Sequence, residues 1–207
     1  TWSLAQVEKG KYPYFMLKEI HEQPGIIADI AADGADRASE LADVVQKSDS
    51  TTFIGCGTAG HAAQAASILL AAVAKRHVNW AMGSEFGYEV DFLTPKSLVV
   101  ALSQSGETMD TLESVRKARA RGAKILSVVN AIGSTLYREA DYRLLLGAGP
   151  EKGVASTKAF TAKIAHMILL AHALAGNVKR GQKVLTHAAR AAKDVLTGKS
   201  IAKIQAL

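Results

Sequence analysis

Cysteine and long apolar runs are scarce in this sequence. Cys56 is the single cysteine among 207 residues, so no internal disulfide can form and a reducing, cytoplasmic compartment is expected. The longest apolar stretch, Ile164–Leu174, is interrupted by His166 and His172 and is shorter than the about 18 residues that a membrane span needs. Residues 1–16 lack a basic start, an apolar core and a cleavage site, so no signal peptide is predicted.

Aromatic residues are also few, at 6% of the chain, whereas basic residues exceed acidic ones and give a formal net charge of +6. This charge favours either solubility or an anionic small molecule as ligand. A nucleic-acid partner is disfavoured, because no stripe of basic residues interleaved with stacking aromatics occurs. The densest basic stretch, Arg116–Lys124, is typical of the solvated face and C-terminal end of a helix. Neither nucleic acid nor a membrane is therefore an expected partner.

The length is typical of one domain with appendages. Residues 14–47 predict two helices, broken near Pro24-Gly25. Short apolar runs then alternate with helical segments. The predicted strands are 51–54, 78–82, 97–102, 124–129 and 142–146. The predicted helices are 61–75, 108–121, a short one opened by Gly133-Ser134, 156–175, and a final basic helix or helix pair.

The repeated order of strand, loop and helix predicts an α/β fold, a doubly wound three-layer domain of about five parallel strands. The strands are continuous apolar runs, which indicates that helices cover both faces of the sheet. We assign residues 1–47 to a linker and N-terminal helices, 48–176 to the domain, and 177–207 to a C-terminal helical extension. Ligands bind such sheets at the carboxyl ends of the strands, so the loops after strands are the candidate sites.

The loop after the third predicted strand concentrates hydrogen-bonding groups. Ser103, Ser105 and Thr108 supply hydroxyls, Gln104 supplies an amide, and Gly106 frees the backbone. The helix that begins at this point directs its first N–H groups to the same place. An ordinary helix cap needs a single hydroxyl. The richer set predicts a phosphate site.

A glycine-rich loop, residues 55–60 (GCGTAG), follows the first predicted strand and brings backbone N–H groups close to a ligand. Its glycine spacing matches the dinucleotide fingerprint, so a dinucleotide stays an alternative. The fingerprint also needs an acidic residue at the end of the next strand. Glu85 comes late for that role, beyond the strand end at Met82.

A third loop, residues 149–160, leads into the long apolar helix. Ser156 or Thr157 is its natural N-cap. Lys158 falls in the first turn, where a cation opposes the helix dipole. Lys158 is either an exposed lysine without a role or a charge that serves an anion or a partner chain, and the sequence favours neither.

Together these loops resemble the sugar isomerase (SIS) domain family, and within it the isomerase part of the glutamine–fructose-6-phosphate aminotransferases. The resemblance covers about residues 8–175, most of the chain. It rests on the segments GCGT at 55–58, SEF at 84–86, LSQSGET-DTL at 102–112, GSTLYREAD at 133–141, AGPEKGVASTKAF at 148–160, and the lead-in EKGKYPYFMLKEIHEQP at 8–24.

The resemblance implies that fructose 6-phosphate, or glucosamine 6-phosphate as product, lies across these loops. The implied phosphate ligands are Ser103, Gln104, Ser105 and Thr108. The implied sugar-facing residues are Thr58, Val154 and Ser156. The family commonly carries serine where this chain has Ala59, so one hydroxyl to the ligand is expected to be missing.

The resemblance also implies partners that this sequence does not contain: a glutaminase domain with a nucleophilic cysteine, and a second SIS half that carries the catalytic glutamate, histidine and lysine. Cys56 is expected to be a packed residue rather than a nucleophile. The chain is therefore expected to bind sugar phosphate without catalysis, and no residue in it is assigned a catalytic role. The lead-in and final helices carry apolar faces with no obvious home in a lone domain, so a homodimer is expected.

Few other titratable residues suggest chemistry. Glu107 lies next to the proposed phosphate, which would raise its pKa, and it is expected to brace the loop or a neighbouring subunit. His61 and His77 are expected to be solvated or structural, and His166 and His172 to be core or interface residues. No histidines and carboxylates have metal-ligand spacing, so neither a metal nor another cofactor is expected.

Three rival functions stay open. They are a SIS-type sugar-phosphate sensor joined to a DNA-binding or kinase-like partner, a stand-alone SIS deglycase or isomerase, and a nucleotide-binding module. The lead-in at residues 8–24 argues against the sensor, because it resembles a linker that follows a glutaminase domain.

Overall fold

One parallel sheet organises the computed structural model, which describes residues 7–205. Its strands are β1 (Ser50–Gly55), β2 (Asn79–Met82), β3 (Ser97–Ser103), β4 (Lys124–Val129) and β5 (Tyr142–Leu145). They lie in the order β2-β1-β3-β4-β5 and every neighbouring pair is parallel. The predicted five-stranded parallel sheet is confirmed.

Helices connect the strands and flank the sheet. They are α1 (Phe15–Asp33), α2 (Ala35–Lys47), α3 (Thr58–Leu69), α4 (Gly83–Phe86), α5 (Met109–Ala120), α6 (Thr135–Glu139), α7 (Lys158–Leu174), α8 (Val178–Val195) and α9 (Gly198–Gln205). A π-helical turn, Leu70–Ala74, continues α3, and a 3₁₀ turn, Val90–Phe92, precedes β3.

Two hydrophobic cores cover the two faces of the sheet, which gives three layers. Alternate residues of β3 divide between them: Leu98 and Val100 join one core, whereas Val99 and Ala101 join the other. The first core is closed by α3, α7 and the terminal helices, and the second by α4, α5 and α6. The predicted doubly wound α/β fold is therefore confirmed, and β3 is buried along its whole length.

The apolar faces of the lead-in and final helices pack within the chain. Ile27 and Ile30 of α1 and Leu185 and Ala189 of α8 are buried in the first core, where α1 and α8 contact each other and both contact α7. The expectation that these faces have no home is wrong. A second layer of helices over α7 satisfies them, and a sheet-centred pattern analysis does not reveal that layer.

The predicted break near Pro24-Gly25 is also wrong. Pro24 lies inside the continuous helix α1, and the chain instead turns at Gly34, between α1 and α2. Proline removes one backbone hydrogen bond from a helix. The burial of Ile26 and Ile27 directly after it keeps the helix continuous, because tertiary packing outweighs local propensity.

His166 and His172 lie on α7 with relative exposures of 8% and 9%, as expected of core residues. Among residues 7–205, no helix has both the length and the apolarity that crossing a bilayer requires. No three histidine, cysteine, aspartate or glutamate side chains of the described residues are grouped as a metal site would need.

Gly34 and Gly25 make a matched test of the α1–α2 turn. A Cβ at Gly34 would lie 2.6 Å from the carbonyl oxygen of Ile30 and 2.7 Å from Cδ1 of Leu169, so Gly34→Ala should lower the free energy of unfolding by about 1–3 kcal/mol. Gly25 lies inside α1 with no atom within 4 Å of its Cβ position, so Gly25→Ala should raise it by about 0.5–1 kcal/mol. Denaturant unfolding measures both, and equal effects would contradict the packing of this turn.

Titration of His166 should make the free energy of unfolding depend on pH in the acidic range. Burial lowers its pKa to about 4 from its ordinary 6.5, while the hydrogen bond to the carbonyl of Leu146 opposes the shift. Between about pH 6.5 and pH 4, the unfolded chain binds a proton on His166 that the folded chain excludes. The contribution of His166 to the free energy of unfolding is therefore full above about pH 6.5 and is lost as the pH drops towards 4. His166→Gln removes this titration. Its unfolding free energy should therefore decline less over that window, and parallel pH profiles would refute the assignment.

Candidate sugar-phosphate site

The sheet brings the first two loops together. Gly55, at the end of β1, pairs in register with Leu102 near the end of β3. The chain leaves β1 towards β2 on one side and leaves β3 towards β4 on the other, so the two connections diverge. Such a switch point opens a crevice at the carboxyl ends of the strands, and both loops border it.

The second loop is ordered by its own hydroxyls. The hydroxyl of Ser103 accepts a hydrogen bond from the amide of Gly106 (3.0 Å) and lies 3.1 Å from the hydroxyl of Thr108. The hydroxyl of Ser105 accepts from the amide of Glu107 at 3.1 Å. One of the Ser103 and Thr108 hydroxyls donates to the other, and Ser103 is only 2% exposed. The Ser105 hydroxyl, which accepts a backbone N–H, still has its proton to donate to an anion.

Thr108 is the N-cap residue of α5, yet its side chain makes no capping hydrogen bond. Thr108 therefore does not act as the side-chain cap that the ordinary-turn interpretation allowed. The first N–H groups of α5 receive no oxygen from the capping side chain, and they add the positive end of the helix dipole to the hydroxyls of the turn. Gln104 and Ser105 are half-buried at the mouth of this arrangement.

The second loop is anchored on α6. The amide of Leu136 donates to the carbonyl of Gly106 (3.0 Å), and the amide of Thr135 donates to the carboxylate of Glu107 (2.8 Å). The Thr135 amide, then its hydroxyl and the nearby Arg138, hold the pKa of Glu107 below its ordinary value. Glu107 thus braces the loop within this chain, which is one of the two roles expected of it.

Gly106 is the steric centre of the loop. Its φ of +68° is a conformation that side chains rarely adopt. A Cβ there would also meet Ser134, whose own Cβ would be only 2.6 Å away. The Ser134 hydroxyl is buried and has no hydrogen-bond partner among the described residues.

The first loop brings α3 close to the sheet. Thr58 begins α3 and is exposed, directly after Gly57 with its φ of +55°. A Cβ at Gly60 would lie 2.8 Å from the backbone carbonyl oxygen of Gly55, so only glycine permits this approach. Ala59 is 7% exposed and packs in the first core.

Cys56 and Glu85 also lie in or near the first loop. Cys56 is half-buried, with its sulfur 3.4 Å from the hydroxyl of Thr111, which fits the expectation of a packed residue. Glu85 is an exposed residue of α4, beyond the end of β2. It is therefore not at the strand end, where the dinucleotide fingerprint requires its acidic residue.

The third loop is held by a carboxylate instead of the predicted cap. Thr157 is the N-cap of α7 but makes no side-chain capping bond, and Ser156 donates its hydroxyl to Glu151 at 3.1 Å. The other oxygen of Glu151 accepts from the amides of Thr157 (2.9 Å) and Ala159 (3.1 Å). The carboxylate comes from outside the helix, so a rule based on the local cap position missed it.

Of the two alternatives offered for Lys158, the exposed lysine without a role is wrong. Its side chain is 2% exposed and its ammonium group lies 2.6 Å from a carboxylate oxygen of Glu22 on α1. The lead-in helix thus supplies an intramolecular counter-ion that the sequence position does not reveal. Lys163, one turn on, is 1% exposed; burial lowers its pKa to about 8, and the carboxylate of Glu151 opposes that shift.

Asn130 links the second and third loops. Its backbone amide donates to the carbonyl of Gln104 (3.0 Å) in the second loop. Its side chain donates to the carbonyl of Gly149 (2.6 Å) and accepts from the backbone amide of Ala148 (3.1 Å) in the segment that leads into the third loop. Pattern analysis overlooked Asn130, although its place directly after β4 was a usable signal. Beyond it the third loop leaves Val154 fully exposed.

Comparison with known proteins shows the family of this chain. The SIS domain family model matches residues 45–173. The chain belongs to the SIS domain family. Its glycine turn, its hydroxyl-rich loop and its third loop are thus parts of one SIS domain.

Curated relatives carry the name glutamine–fructose-6-phosphate aminotransferase (isomerizing). The chain is 44% identical over 176 residues to the protein of Thermus thermophilus, covering 82% of this chain and 29% of that protein. It is 41% identical over 201 residues to the protein of Mycolicibacterium smegmatis, covering 94% and 32%. This SIS chain therefore spans about a third or less of the length of these relatives.

Solved structures share the fold. The C-terminal domain of glucosamine-fructose-6-phosphate aminotransferase from Francisella tularensis is 30% identical with a TM-score of 0.74, and the match covers 91% of this chain and 55% of that one. Tagatose-6-phosphate ketose/aldose isomerase from Escherichia coli is 17% identical with a TM-score of 0.71, covering 89% and 54%, and shows the fold alone.

The packing of the hydroxyl-rich loop can be tested at two glycines. Gly133→Ala meets only the strain of a φ of +77°, with open space around its Cβ, and should cost about 1–2 kcal/mol of unfolding free energy. Gly106→Ala adds the clash with Ser134 and should cost about 1–3 kcal/mol more. Denaturant unfolding of the two variants measures the difference, and equal losses would show that Ser134 does not confine Gly106.

Proposed function

We propose that this chain is the sugar-phosphate-binding half of the isomerase domain of a glutamine–fructose-6-phosphate aminotransferase, which makes glucosamine 6-phosphate for amino-sugar synthesis. The observation that carries the proposal is the loop of residues 103–108, whose hydroxyls lie at the switch point of the sheet and at the N-terminus of α5. The names of the relatives support the choice of substrate.

In this proposal Ser103, Gln104, Ser105 and Thr108 bind the phosphate. Thr58, Val154 and Ser156 face the sugar. Thr58 and Val154 are exposed, and Ser156 is half-buried beside Glu151. The phosphate would receive neutral hydroxyl and amide donors together with the dipole of α5, so its binding does not require a lysine or arginine in the loop.

The proposal includes the longer parent. A glutaminase domain and a second SIS half would complete the enzyme, so this chain alone would bind without catalysis. We infer a cytoplasmic location, consistent with the lone thiol, and the homodimer stays a prediction. The division into residues 1–47, 48–176 and 177–207 stays a prediction, and the match of the family model to residues 45–173 supports its central part.

Calorimetric titration with fructose 6-phosphate tests the function, with fructose and NAD as controls. The phosphate sugar alone should bind saturably. Ser105→Ala removes one hydrogen bond to a charged group, worth about 1.5–3 kcal/mol, and should weaken binding roughly 10- to 100-fold. Ser39→Ala is the matched control, because Ser39 is an exposed serine on α2 that bonds only the carbonyl of Ala35. Binding of NAD, or an unchanged affinity in Ser105→Ala, would refute the proposal.

A further inference from the structure

A buried carboxylate of the lead-in helix holds the third loop. Glu19 lies on α1 and is 2% exposed. One of its oxygens accepts from the amide of Lys152 at 2.6 Å and from the amide of Gly153 at 3.0 Å. The second oxygen lies 3.2 Å from the Gly153 amide. A buried carboxylate that accepts two backbone N–H groups fixes the peptide that carries them.

Gly153 is shaped to this contact. A Cβ at residue 153 would lie 2.5 Å from the carboxylate oxygen of Glu19 and 3.4 Å from Cα of Met16. The φ angle of Gly153 is not in the positive region, so backbone freedom does not explain this glycine. Its lack of a side chain lets Glu19 reach the loop.

The same face of α1 holds the region after the loop. Glu22 pairs with the buried ammonium of Lys158, and the amide oxygen of Gln23 accepts from the hydroxyl of Thr161 at 2.6 Å. Positions 19, 22 and 23 are neighbours on one helical face. Glu22 and Gln23 contact α7 itself, whereas Glu19 alone among the three bonds backbone amides of the loop.

The loop residues proposed to face the sugar lie between two anchors. Glu19 fixes residues 152 and 153 on one side, and Glu151 holds the Ser156 hydroxyl and the start of α7 on the other. Val154, between the anchors, is fully exposed. No side-chain packing holds it in place, so its position depends on the anchored backbone next to it.

We propose that Glu19 is a positioning residue that sets recognition of the sugar at this site, while the hydroxyl-rich loop supplies binding of the phosphate. The inference rests on the proposed function. A pre-ordered loop avoids the entropic cost of ordering at the moment of binding. Loss of the Glu19 anchor therefore weakens recognition of the sugar and leaves phosphate recognition intact.

The test measures two affinities of the 207-residue chain by titration calorimetry, for fructose 6-phosphate directly and for inorganic phosphate by competition. Glu19→Gln should lower the affinity for fructose 6-phosphate roughly tenfold with no change for inorganic phosphate. Asp29→Asn is the matched control, since it removes an exposed carboxylate from the same helix. It should leave the ratio of the two affinities unchanged.

Gly153→Ala provides a second variant in case Glu19→Gln does not fold. This substitution disrupts the contact between Glu19 and residue 153 from the loop side. Like Glu19→Gln, it should lower the affinity for fructose 6-phosphate relative to the affinity for inorganic phosphate. If wild type binds fructose 6-phosphate and both folded variants keep the wild-type ratio, the role of Glu19 is overturned and the proposed function stands. If wild type binds neither fructose 6-phosphate nor phosphate, the proposed function fails and this inference fails with it.

Discussion

The divergence of the chain between β1 and β3 is the constraint on which the candidate site depends. A parallel sheet presents all its carboxyl ends at one edge, and the crossing direction changes once along that edge. Here Gly55 and Leu102 pair in register on neighbouring strands. The glycine turn that follows β1 and the hydroxyl-rich loop that follows β3 therefore begin side by side. Hydrogen bonds of Asn130 join the loop after β5 to the loop after β3.

Carboxylates of three glutamates organise these loops in the same way. Glu107 accepts from the amide of Thr135, Glu151 from amides at the start of α7, and Glu19 from the amides of Lys152 and Gly153. Loops cannot satisfy their own backbone donors as helices and strands do. A carboxylate satisfies several donors at once and fixes the loop.

Sequence analysis located every strand and the long helices to within a few residues, because continuous apolar runs and helical periodicity are local signals. It failed where distant groups intervened. Pro24 did not break α1, since burial of the following isoleucines outweighed a local penalty. The terminal helices found partners in each other and in α7. Lys158 could not be interpreted without Glu22, which lies 136 residues away in sequence.

By itself the sequence determined the parallel α/β sheet, the polar character of its three loops and the resemblance to SIS domains. These follow from residue order, because strand and helix periods and turn residues act over a few positions. Only the tertiary structure decided which groups hold the loops. Glu19 and Glu22 lie on the first helix and bond residues at and near the start of α7. A hydrogen bond requires its two atoms within about 3 Å, and chain distance says nothing about that separation.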